Sequence, residues 1–274
     1  MAFFKTSIGK NIHYEISGEG NPVVLLNGIM MSTASWAPFL PNLNKSCKVI
    51  LVDLLDMGTS DDMGDREQYV QALQADMLSE LITFLGYEKV SIMGISYGGE
   101  VAIQFAIYHK EQLARLMLFN TAAYTSDRLY AVGEGWNIAG DLRNGEMYYN
   151  ATIPYFYSLQ YYDGNKQWME SRKATLVNLF SQEKFLERMK RLVKSTETYD
   201  VRDRLCEIEA PTLILGSLAD TIIPIREQNY LYENIKNSEF VVLPDCGHCS
   251  MFESPQVFTA LITGFVNATE KIIF

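Results

Sequence analysis

Basic charge is scarce in this sequence. Its 23 lysines and arginines face 33 aspartates and glutamates, giving a formal net charge of −10, and they form no basic run. That argues against a nucleic-acid partner, which needs clustered cations to neutralise phosphates, and against anionic membrane surfaces. Long apolar runs are missing as well, since no stretch reaches the roughly 20 residues that cross a bilayer. The first residues, Met1-Ala2-Phe3-Phe4-Lys5-Thr6-Ser7, lack the basic and sustained apolar regions of a secretory signal, so a cytoplasmic location is expected. Cysteine is limited to Cys47, Cys206, Cys246 and Cys249, and in that compartment these are expected to be free thiols. Cys246-Gly247-His248-Cys249 has the spacing of a redox motif. Such motifs open a helix early in their domain, however, whereas this one follows the strand-like run Glu239-Phe240-Val241-Val242-Leu243 near the C-terminus. No metal-ligand spacing, internal repeat, low-complexity tract or interdomain linker is found.

What is present is ample apolar content, 48% of 274 residues, enough for one large domain with a full core. Short runs rich in Val, Ile and Leu alternate with longer helical patterns. Residues 23–26, 49–52, 89–93, 116–119, 212–215 and 240–243 read as parallel strands covered on both faces. Helical patterns run over 69–85, 99–109 and 255–267. The alternation predicts an α/β fold with a mostly parallel doubly wound sheet, preceded by an antiparallel hairpin. From 122 to 204 the rhythm breaks into a helical, aromatic-rich stretch. It is read as a cap inserted over the carboxyl edge of a core formed by 1–121 and 205–274.

The chemistry is carried by scattered residues. Gly94-Ile95-Ser96-Tyr97-Gly98-Gly99 follows a strand run and opens a helix, the context that a G-x-S-x-G elbow requires. A serine hydroxyl needs an adjacent base. Of three histidines, His13 lies in the N-terminal hairpin, far from the expected carboxyl edge, and His109 ends a helix. His248 directly follows a strand and should emerge where open α/β sheets place their ligands. The carboxylate that orients it is assigned to Asp220, just beyond the strand 212–215, with Asp245 as competitor.

On these residues the chain resembles the α/β-hydrolase superfamily over nearly its whole length, in the order Ser…Asp…His. Residues 247–255 match that family's G-H-x-x-x-x-E-x-P block and residues 216–224 its G-x-x-x-D-x-x-x-P block. Asp53-Leu54-Leu55-Asp56-Met57-Gly58-Thr59-Ser60 resembles its D-x-x-G-x-G-x-S turn, with Asp56 where glycine is usual. Leu25-Leu26-Asn27-Gly28-Ile29 stands in place of the L-H-G segment, with Asn27 for histidine. The resemblance implies an oxyanion hole formed by the N–H groups of Ile29 and Tyr97. Serine at the elbow disfavours the dehalogenase-like members, which carry aspartate there, and the dienelactone-hydrolase-like members, which carry cysteine.

The expected activity is hydrolysis of carboxylic esters of small, largely apolar substrates through an acyl-enzyme on Ser96, with no cofactor or metal. Met30, Trp36, Tyr124 and Trp136 are candidate substrate contacts. Lactone, thioester or C–C bond hydrolysis and acyl transfer would use the same parts. A hydrolase-fold protein that binds a ligand with little turnover is the alternative of a different class. Oligomeric state is not legible.

Overall fold

The computed structural model describes residues 2–64 and 69–269. Eight strands form one sheet: β1 Ala2–Lys5, β2 Asn11–Ser17, β3 Asn21–Leu26, β4 Cys47–Val52, β5 Val90–Ile95, β6 Leu113–Phe119, β7 Thr212–Ser217 and β8 Ser238–Leu243. Their spatial order is β1-β2-β4-β3-β5-β6-β7-β8. β1 and β2 pair antiparallel, β2 pairs antiparallel with β4, and every later pair is parallel. The helices around the sheet are α1 Leu40–Leu43, α2 Gln71–Phe84, α3 Tyr97–Tyr108, α9 Ile225–Asn234, α10 Ser250–Glu253 and α11 Pro255–Val266. Between β6 and β7 lie α4 Asp127–Asp141, α5 Gly145–Thr152, α6 Leu159–Gly164, α7 Lys166–Phe180 and α8 Glu183–Thr196.

The continuous apolar runs are explained by burial on both sheet faces. In β3, Val24 and Leu26 join one apolar cluster while Val23 and Leu25 join the other, as the two-residue repeat of a strand dictates. β5 and β7 are buried along their whole length. Each fully buried aliphatic side chain contributes about 1.5–3 kcal/mol, and this makes the central strands a rigid base for the loops at their carboxyl ends.

The segment between β6 and β7 contains one isolated bridge, Tyr124 with Asp200, and otherwise helices. Their starts are set locally. Ser126, Asn144 and Ser158 accept the N–H groups of Leu129, Met147 and Tyr161 respectively. Aromatics fill the space among these helices, as in the edge-on pairs Tyr148–Phe180 at 5.1 Å and Trp136–Phe156 at 5.5 Å. Among the described residues no helix is long and apolar enough to cross a membrane.

Candidate active site

Ser96 sits between β5 and α3 with φ 53° and ψ −121°, a backbone state that L-residues rarely adopt. The flanking glycines make that turn possible. A Cβ on Gly94 would run into the Gly98 carbonyl, and one on Gly98 would lie 2.5 Å from the Leu26 carbonyl oxygen. The Ser96 N–H bonds the Phe119 carbonyl at 3.0 Å, and Thr121 Oγ1 donates to the Ser96 carbonyl at 2.8 Å. The hydroxyl is thereby presented at the sheet's carboxyl edge.

Asp220 and His248 come from the loops after β7 and β8. Asp220 Oδ2 lies 2.8 Å from His248 Nδ1, in a buried pair. The same carboxylate accepts Asn120 Nδ2 at 3.0 Å and, on Oδ1, the N–H groups of Ile222 and Ile223 at 2.8 and 2.9 Å. Asp245 is exposed and plays no part in this pair. Asn120 passed unnoticed in the sequence. It stands just past β6 with φ 47°, and its amide oxygen accepts Ser250 Oγ at 2.7 Å, so it ties Asp220 to the histidine loop. Glu253 holds that loop from below, accepting Gly247 N at 3.0 Å and Ser158 Oγ at 2.5 Å from the inserted helices.

His13 departs from expectation. β2 runs antiparallel to β4, and this brings His13 to the carboxyl end of β4, where its Nδ1 lies 3.0 Å from Asp53 Oδ2. The molecule thus has a second buried His–Asp pair, but neither member lines the cavity that holds Ser96. Asp53 instead anchors the loop after β3, accepting Thr33 N at 2.7 Å and Asn27 Nδ2 at 3.2 Å on Oδ1.

Ser96, His248, Ile29 and Tyr97 share the lining of one cavity. Met30 and Trp136 line it too. Trp36 and Tyr124 do not. Trp36 is fully buried on the opposite face of the sheet beside Phe39 and Phe258, with its Nε1–H donated to Asn27 Oδ1 at 2.7 Å. It follows the loop in sequence, but the turn at 33–36 carries it under the sheet. Tyr124 is half-buried with the Arg202 guanidinium 4.1 Å above its ring.

The cavity walls are largely apolar. Besides His248 they carry two charged residue types, Arg172 from α7 and Glu100 from α3, neither anticipated from the sequence. Cys249, next to His248, also lines the cavity, while Cys246 packs on the other sheet face. All four cysteines are free. Burial pushes the Cys246 thiol up to about 11 and the Cys249 thiol up to about 12, the opposite of a reactive redox pair.

The profile of the alpha/beta hydrolase fold matches residues 21–255, and the chain belongs to that family. It is 44% identical to MGS-M2, an alpha/beta hydrolase enzyme from a Medee basin deep-sea metagenome library, with a TM-score of 0.95 over 98% of each chain. A 2-hydroxy-6-oxononadienedioate/2-hydroxy-6-oxononatrienedioate hydrolase of Paraburkholderia phymatum is 27% identical, over 93% of this chain and 90% of its own. The 3-oxoadipate enol-lactonase 1 of Acinetobacter baylyi is 27% identical, over 96% and 95% respectively.

Proposed function

We propose that the protein is a serine hydrolase that cleaves carboxylic esters of small, largely apolar substrates through an acyl-enzyme on Ser96. One observation carries the reading: Ser96 opens into the same apolar cavity as His248, whose Nδ1 is held by buried Asp220 at 2.8 Å. In this mechanism His248 Nε2 takes the Ser96 proton as Oγ attacks the ester carbonyl. The oxyanion rests on the N–H groups of Ile29 and Tyr97, donors worth about 3–4 kcal/mol each in the transition state. His248 then protonates the departing alcohol. Water, deprotonated by the same imidazole, releases the acid and restores Ser96.

A second reading, hydrolysis of a lactone or C–C bond in a carboxylate-bearing substrate, is favoured by Arg172. Its guanidinium stacks 4.6 Å from the Phe252 ring centroid and 5.3 Å from that of Trp168, and it forms no ion pair among the described residues. Its Nε is buried without a partner. An unpaired cation in an apolar wall is costly unless a ligand anion completes it. Two relatives are named for a dioate and for the enol-lactone of 3-oxoadipate, both consistent with that demand.

Steady-state kinetics with phenyl butanoate and 4-carboxyphenyl butanoate test both readings. Turnover of each ester should fall by roughly 10³-fold or more in Ser96→Ala, and the second reading predicts that the wild type favours the carboxylated ester. Undiminished turnover in Ser96→Ala would remove Ser96 from its role, and equal use of both esters would remove Arg172 from anion binding.

A further inference from the structure

Acyl transfer by Ser96 and His248 makes no use of Glu100, yet this acid is buried in the wall of the reaction cavity. It stands one helical turn beyond Ser96 on α3, its N–H bonded to the Ser96 carbonyl at 3.2 Å. Gln71 Nε2, from α2, donates to Glu100 Oε2 at 2.7 Å, and Oε1 has no partner among the described residues. Two tyrosines lie near its carboxyl group. Tyr97 has its hydroxyl paired with Ser195 Oγ at 3.1 Å, whereas the Tyr199 hydroxyl is buried without a partner. Thr196 of α8, whose carbonyl accepts the Tyr199 N–H at 3.0 Å, also lines the cavity. Burial pushes the Glu100 carboxyl up to about 8, so at neutral pH it holds its proton and can both donate and accept.

A buried carboxyl is an expensive way to fill space; leucine or methionine would do so without the desolvation cost. The direction of the reaction shows what it could serve. His248 delivers a proton to the leaving group, so the alcohol side of the substrate faces His248, Cys249 and Arg172. In the same mechanism the oxyanion faces the Ile29 and Tyr97 N–H groups, and the cavity wall left for the acyl chain includes Glu100 of α3. Glu100 follows Ser96 by four residues and lines the same cavity, where it can meet an acyl chain carried on Ser96.

We propose that Glu100 is a specificity-determining residue that selects acyl chains bearing a hydroxyl near the third carbon, through the carboxyl oxygen that Gln71 leaves open. The proposal rests on the acyl-enzyme reading above. Its test is the ratio of kcat/KM for phenyl 3-hydroxybutanoate over phenyl butanoate in wild type, Glu100→Gln and Glu100→Met. One added hydrogen bond predicts a wild-type ratio of about tenfold. Glu100→Gln, which preserves size and a donor, should keep part of it, and Glu100→Met should bring it to one or below. A merely structural Glu100 would change both esters alike. A wild-type ratio at or below one overturns the proposal whatever the variants do, as does an unchanged ratio in Glu100→Met. The same pair built as p-nitrophenyl phosphonates reads the preference from the rate of Ser96 labelling. If neither ester is turned over but the hydroxylated phosphonate labels Ser96 faster, the ester reading fails and Glu100 keeps its role. Absence of labelling by either phosphonate overturns both.

Discussion

Asn27 and Trp36 illustrate how a single hydrogen bond can hold a cavity loop from outside the cavity. Asn27 is fully buried; its Nδ2 donates to the Val52 carbonyl at 3.0 Å and to Asp53, and its Oδ1 has the Trp36 indole N–H as donor. This holds the loop that carries the Ile29 N–H without a charge or a titratable ring. Trp36→Phe retains most of the packing but leaves a buried amide oxygen unsatisfied, a loss of about 1–3 kcal/mol in stability. In the proposed mechanism the Ile29 N–H of this loop acts on the transition state, so kcat for phenyl butanoate should fall while KM holds. An unaltered kcat in a destabilised Trp36→Phe protein would show that the loop does not depend on this bond. Trp36 was read from the sequence as a substrate contact because it follows the oxyanion segment closely. Proximity in the chain could not reveal the turn at 33–36 that sends it beneath the sheet.

At the scale of elements, α8 fastens the inserted helices to the core. Arg188 and Arg191 lie one turn apart on the same helix face. Arg188 donates to the carbonyls of Gly58 and Ser60 at 2.9 and 2.8 Å. Arg191 donates through Nε and Nη2 to Asp56 Oδ1 at 2.9 and 2.7 Å, and Tyr69 Oη donates to Oδ2 at 2.9 Å. Asp56 replaces the glycine usual in this turn and keeps the left-handed backbone, φ 64°, that glycine would adopt freely. The departure noted in the sequence is therefore one half of an ion pair between core and inserted helices. Arg191→Met strands a buried carboxylate and should cost about 3 kcal/mol. Asp56→Gly in that background removes both the orphaned charge and the backbone strain, and should recover more than half of the loss in urea melts. Additive losses from the two changes would refute the pairing.

For the whole molecule, Glu100 makes stability depend on pH in a direction opposite to that of most acids. The folded chain holds its proton up to about pH 8, whereas the unfolded chain releases it near 4.5. Between those values the native state binds more protons, so stability falls as pH rises and levels off above about 8. The shift corresponds to on the order of 5 kcal/mol at its full extent. Glu100→Gln, which cannot ionise, should thus raise the melting temperature at pH 9 by several degrees more than at pH 5. A gain that is the same at both values would contradict the buried acid's role.

Much of this was legible in the linear chain. Buried parallel strands write themselves as unbroken apolar runs, and an elbow serine needs small neighbours on both sides, so the sheet, Ser96 and the carboxyl-edge histidine followed from residue order alone. The preference for Asp220 over Asp245 was legible too, and the structure places Asp220 against His248. What needed the tertiary structure was the pairing of His13 with Asp53 away from the cavity, the bond from Asn120 to Asp220, and the meeting of Glu100 and Arg172 in one cavity wall. Local pattern reports whether a residue is buried, because that depends on periodicity; it does not report which buried groups face one another, because packing across distant segments sets those distances.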